Sequence, residues 1–167
     1  MRNKTGFTLM ELMVTMAIIA IIAAIAVPNF MGWLPRHRLS TSTRDVYNAV
    51  QTAKIRAVRE NATTVVTFNA GDGSYVIFLD NGDGTADADA NGIPDGLNDG
   101  VQNGTESTLL EGQLASDVQI AAANTISFNA RGFPAAQVNI VLASTATDGG
   151  QRTIGVTPAG SISVTNP

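Results

Sequence analysis

Cysteine is absent from this chain of 167 residues. No disulfide framework and no thiol catalysis are available to it, so an exported domain must be held by packing or by a bound metal. Histidine occurs once, at His37 between Arg36 and Arg38, where it reads as a headgroup or surface residue. There is no second histidine to pair with it, no nucleophile elbow, and no pair of carboxylates outside one acidic stretch, so the chain reads as a non-enzyme. Lys and Arg are missing between Arg59 and Arg131, whereas Arg36, Arg38, Arg44, Lys54, Arg56 and Arg59 crowd the segment before that gap. One end is basic and the middle is acidic.

What is present in quantity is apolar sequence near the start. The run from Phe7 to Val27 contains 21 residues, about 31 Å if helical, which matches the hydrocarbon thickness of a bilayer. It follows a short leader bearing Arg2 and Lys4, and it contains one acid, Glu11. A carboxylate there costs on the order of 2.5–3.5 kcal/mol near mid-membrane, so its presence implies a partner in an assembled state. Trp33, just beyond the run, suits an interfacial anchor, with core packing as the alternative. An ordinary secretory signal cut after Ala26 would also have a basic start and an apolar core; the buried acid and Pro28 argue against it.

The order Gly6, Phe7, then Glu11 as fifth residue of the mature chain resembles the prepilin leader of type IV pilins and type II secretion pseudopilins. The resemblance implies that a prepilin peptidase cuts between Gly6 and Phe7 and methylates the new amine, so that the apolar segment is retained. It further implies that Glu11 docks against the Phe7 ammonium of a neighbouring subunit. Removal of the leader leaves eight Lys and Arg against fourteen Asp and Glu, a net of -6. The basic leader sets the orientation, leader inside and the rest outside the inner membrane, in the periplasm. The partners implied are other pilin or pseudopilin subunits, the peptidase, an inner-membrane assembly platform and membrane lipid.

Beyond the apolar run, Pro28, Gly32 and Pro35 predict a kink or pause over 28–35. Leu39, Thr43, Val46, Val50, Ala53 and Ala57 then recur at three- and four-residue steps, giving one apolar face. Asn61 marks its end. From residue 63 the period changes: 63–69 and 74–80 read as a hairpin around the turn residues 69–73. Further short strands are expected at 107–111, 117–121, 124–129, 137–143, 151–157 and 160–165, with Pro158-Ala159 in the last turn. The expected fold class is α+β, one long N-terminal helix, transmembrane then amphipathic, packed on antiparallel sheet. The expected divisions are a leader at 1–6, a membrane helix at 7–28, its amphipathic continuation at 29–61 and a β-rich domain at 62–167 with an acidic insertion at 80–106.

The stretches AKIRAVRENATTVVTF (53–68), ISFNARGFP (126–134) and RTIGVTPAGSISV (152–164) are similar to the GspH/FimT group of minor pilins and pseudopilins. That resemblance implies a minor structural subunit and leaves pseudopilus and pilus both open. Some members of the group take up DNA through a basic motif after the last glycine. Gly160-Ser161-Ile162-Ser163 carries no arginine, and Arg131 and Arg152 alone make a weak footprint, so nucleic acid is not expected as a partner.

The insertion supplies the remaining candidate chemistry. Asp87, Asp89, Asn91, the Ile93 carbonyl, Asp95 and Asn98 fall at the oxygen-ligand positions of a calcium loop, with Gly92 at the sharp turn. The closing bidentate glutamate is missing, and Asp99 follows instead. The spacing is closer to the loops of dockerin and thrombospondin type 3 repeats, with Asp80 and Asp83 as further ligands. Folding six aspartates together is opposed by their repulsion, and a divalent cation reverses that. Calcium is therefore the expected cofactor, against the alternative of a solvated acidic loop; a secreted calcium-binding module is the corresponding functional alternative.

Overall fold

The computed structural model describes residues 7–70, 72–80, 100–102, 106–121, 124–147 and 149–166. Its first element is a single helix, α1, over Leu9–Glu60. Of the kink or pause expected at 28–35, the pause is not found, because every residue there is helical. A proline deletes one hydrogen bond at a cost of about 3 kcal/mol, and the intact turns on either side carry the helix through. The chain divides into two compact units between Leu34 and Pro35, at the second of these prolines.

The first unit, Met1–Leu34, holds the N-terminal part of α1. Every side chain from Phe7 to Met31 is exposed within the single chain. A helix that is apolar all round is a helix designed for lipid or for other helices, not for a one-sided core. It is long and apolar enough to cross a membrane.

The second unit, Pro35–Pro167, contains the rest of α1 and eight strands. These are β1 (Thr63–Phe68), β2 (Ser74–Asp80), β3 (Thr108–Gln113), β4 (Val118–Ile120), β5 (Asn124–Phe128), β6 (Val138–Ser144), β7 (Gln151–Val156) and β8 (Ile162–Thr165). All pairings are antiparallel, and the strands form two four-stranded sheets in the orders β3-β2-β1-β5 and β4-β6-β7-β8. The sheets meet where β5 lies against β6.

The core follows from the two periodicities. Leu39, Val46, Ala49, Val50, Ala53 and Ala57 are buried on α1, and the alanines at 49, 53 and 57 lie one turn apart, a small ridge that lets backbone approach closely. Against them pack Val66, Phe68, Ile77, Ile126 and Phe128 from the first sheet and Ile140, Leu142, Ile154 and Val156 from the second. The helix stops as the sequence indicated. Asn61 adopts a positive φ of 51° and Ala62 N–H donates to the Ala57 carbonyl at 3.2 Å, the six-to-one bond of a Schellman cap.

The first sheet is also buried on its other face. Val65 and Phe78, paired across β1 and β2, are excluded from solvent but do not belong to the core under the helix. Asp80 on the same face is buried at the end of β2 and accepts the Gly100 N–H at 3.1 Å. The insertion is thus held at its base, where Leu79 N–H also donates to the Ser107 carbonyl at 3.1 Å.

Candidate assembly site

Thr8 and Glu11 begin α1 as a capping pair. Thr8 precedes the helix, and its hydroxyl accepts the Glu11 backbone N–H at 3.3 Å, while its carbonyl accepts from Leu12 at 3.2 Å. Glu11 is therefore the third helical residue, and its carboxylate stands where the exposed N–H groups and the helix dipole favour negative charge. The acid has an address on the helix independent of any partner. Thr8 was the residue that sequence reasoning passed over, although the Thr-x-x-Glu spacing signals it.

The ion pairs among the described residues are Arg38–Asp117 at 3.5 Å and Arg56–Glu60 at 3.2 Å, so Glu11 has no cation within its own described chain. Phe7 is almost fully exposed just before the helix. Gly6 lies outside the described residues. Toward the other end of the apolar unit, Phe30 and Trp33 pack at a tilt with ring centroids 5.5 Å apart.

Of the candidate calcium ligands, Asp83, Asp87, Asp89, Asn91, Ile93, Asp95, Asn98 and Asp99 lie outside the described residues. Asp80 alone is described, with the buried carboxylate and the Gly100 bond given above. Glu106, at the other side of the insertion, is also buried. Among the described residues no group of three His, Asp or Glu side chains could hold a metal.

Two cations of the basic stretch on α1 bond to the β-domain, Arg38 to Asp117 and Lys54 to Gly160. Lys54 donates to the Gly160 carbonyl at 2.8 Å, tying the helix to the turn between β7 and β8, and Arg152 donates to the Ser40 hydroxyl at 3.2 Å. Gly160 and Gly132 both have positive φ; a Cβ on Gly132 would crowd Val58 Cγ2 at 3.0 Å, and one on Gly160 would crowd the Gly132 carbonyl oxygen at 3.0 Å and Lys54 Nζ at 3.2 Å. The loop 129–133 is fixed by Asn129, whose side-chain oxygen accepts from Arg131 N–H at 3.0 Å and Phe133 N–H at 3.1 Å.

Residues 1–27 match the prokaryotic N-terminal methylation motif, and residues 42–160 match the family of the type II transport protein GspH. The chain belongs to the GspH family. Two curated relatives, both called fimbrial protein and both from Pseudomonas aeruginosa, are 31% identical over 120 residues, covering 72% of this chain and 61% of theirs. The chain thus spans less than two thirds of the length of these relatives. Among solved structures it is similar to the type IV minor pilin FimU of Pseudomonas aeruginosa, with a TM-score of 0.56 at 15% identity, over 78% of this chain and 90% of that one. It is similar also to the minor pseudopilin EpsH from the type II secretion system of Vibrio cholerae, with a TM-score of 0.54 at 12% identity, over 78% of this chain and 98% of that one. At these identities the structural likeness establishes the pilin-like fold. With the methylation motif and the GspH match, it makes this chain a member of the minor pilin and pseudopilin class, whose apolar N-terminal helix suits membrane anchoring of a globular domain.

Proposed function

We propose that this GspH-family chain is a structural subunit, cut by a prepilin peptidase between Gly6 and Phe7, held in the inner membrane with its β-domain in the periplasm, and drawn by an assembly platform into a filament. The observation that carries this reading is the first unit itself. Among the described residues, the continuous apolar surface from Phe7 to Met31 has no cover, and its single acid, already seated in a helix cap, has no cation. Lipid covers that surface before assembly and neighbouring helices cover it afterwards. An incoming Phe7 ammonium then neutralises Glu11. Desolvation takes back much of the Coulomb gain, so the pair sets register more than it adds affinity. The names of the relatives, fimbrial protein, minor pilin and minor pseudopilin, support a filament in either a secretion or a pilus system. Mass spectrometry of the mature chain tests the reading: an N-methylated Phe7 is the expected terminus, and a chain beginning at Val27 would overturn it.

A structural calcium ion in the insertion is part of the same proposal. Asp80 supports it, because its buried carboxylate and the Gly100 bond draw the two ends of the acidic stretch together. A divalent ion would offset the repulsion among the aspartates between them.

A further inference from the structure

A cleft of about 250 Å³ opens between α1 and the open edge of the second sheet, lined by Thr43, Arg44, Tyr47, Arg152 and Val164. Its composition follows from the fold. Arg152 and Ile154 lie on the helix-facing side of β7, and Val164, paired with Ile154, lies on the same side of β8. Because β8 is the last strand of its sheet, Val164 is covered from one direction only and remains half exposed. Arg44 and Thr43 come from α1. The Tyr47 hydroxyl is engaged by Gln51 Nε2 at 3.1 Å, which fixes the ring in the wall.

The cleft is cationic without a counter-ion. Among the described residues neither Arg44 nor Arg152 pairs with a carboxylate; the contact of Arg152 is to the neutral Ser40 hydroxyl. Burial, and after it the charge of Asp45 next to Arg44 in sequence, raises the Tyr75 pKa. Beside the cleft the outer edge of β8 has no strand partner, so an extended peptide laid there gains main-chain hydrogen bonds as well as two guanidiniums. The chain carries a segment of matching chemistry. Residues 83–99 hold five aspartates with no Lys or Arg, and the gap in basic residues extends from Arg59 to Arg131. This segment leaves the first sheet after β2, near the β3 edge, and the cleft is at the β8 edge of the second. Complementary features on opposite edges of one subunit make head-to-tail contacts, which generate open helical assemblies and not closed dimers.

We infer that the Arg44–Arg152 cleft and the β8 edge receive the acidic 83–99 segment of a second copy of this chain when its aspartates hold no calcium. The inference rests on the filament-subunit reading, but its test does not involve the N-terminal helix. A fluorescent peptide of residues 83–99 is titrated into the mature full chain in detergent with a chelator present, and binding is read by anisotropy. Saturable binding that weakens as salt rises is expected. Arg44→Glu, at an exposed position without hydrogen-bond partners among the described residues, should weaken it at least about tenfold while circular dichroism is unchanged. A peptide with its aspartates replaced by lysine should bind the R44E chain and not the original. Binding indifferent to Arg44→Glu overturns the inference, as does no binding even to a chain whose own 83–99 is replaced by Gly-Ser. Binding seen only after that replacement makes the segment an occupant of its own cleft and overturns the second-copy assignment. In each of these failures, a methylated Phe7 would leave the filament reading intact.

Discussion

Glu11 carries two local roles whose separation is measurable. As the third residue of α1 it interacts favourably with the helix start, a contribution of about 0.3–1 kcal/mol, and in the assembly proposed above its carboxylate would answer the Phe7 ammonium of a neighbour. Glu11→Gln keeps most of the cap and loses the charge. Such a variant should insert in the membrane at least as well as the original and enter filaments at least about tenfold less, because an unanswered ammonium is then left in a low-dielectric interface. Cell fractionation and quantification of sheared filaments check the two halves, and normal incorporation would remove the charge from the mechanism. Tyr75 offers a second residue-scale test. Burial chiefly, with the Asp45 charge, holds its phenol pKa above the usual value near 10. The folded state therefore keeps the proton that the unfolded state releases. The contribution of this group to stability is complete below pH 10 and is lost as pH rises through the raised folded value. Tyr75→Phe should flatten the alkaline part of the stability curve measured by urea unfolding, leaving neutral pH little changed.

At the scale of elements, the helix face is the decisive feature, and it was legible. Leu39, Thr43, Val46, Val50, Ala53 and Ala57 were identified by periodicity, and all are buried. Strands β1 and β2 were visible as β-branched and aromatic runs, and the later strands fall within a residue or two of their expected ends. What the sequence did not disclose has physical reasons. The long α1 was expected, and only the pause allowed for at 28–35 did not occur, because a proline's local cost says nothing of the neighbouring turns that outweigh it. The division into two sheets was missed because pairing partners far apart in sequence leave no local periodicity. The second buried face at Val65 and Phe78 was written in the consecutive valines of β1, but what covers that face is not a matter of period. Gly112 was equally silent: it faces Tyr75 across the sheet, and a methyl there would collide with that ring. Gly112→Ala should therefore destabilise by about 1–3 kcal/mol, whereas Gly32→Ala, with open space around it, should cost nothing. On the helix, Val50→Asp should prevent folding by burying an unpaired charge, while Val58→Asp on the exposed face should be tolerated. Urea midpoints of the four variants check the set.

For the whole molecule, the question is what an acidic insertion costs a chain without disulfides. The described core is ample under the helix, and the insertion is fixed at its base by Asp80, Gly100 and the Leu79–Ser107 bond. Beyond that base the sequence offers aspartates, whose mutual repulsion opposes a single conformation. A bound ion changes the sign of that term, and its effect on folding follows from mass action: calcium at a hundred times its dissociation constant stabilises by about 2.7 kcal/mol. At about 2–4 °C per kcal/mol for a domain of this size class, that corresponds to a rise of roughly 5–11 °C in melting temperature. The full chain in detergent should therefore melt several degrees higher in millimolar calcium than in chelator, and magnesium should substitute poorly because it prefers a smaller, more rigid octahedral shell. Paired replacement of Asp87 and Asp89 by asparagine should abolish the calcium-dependent rise. If the acidic loop is only solvated, the melting temperatures with calcium and with chelator will coincide, and the same two substitutions will raise stability slightly by relieving repulsion.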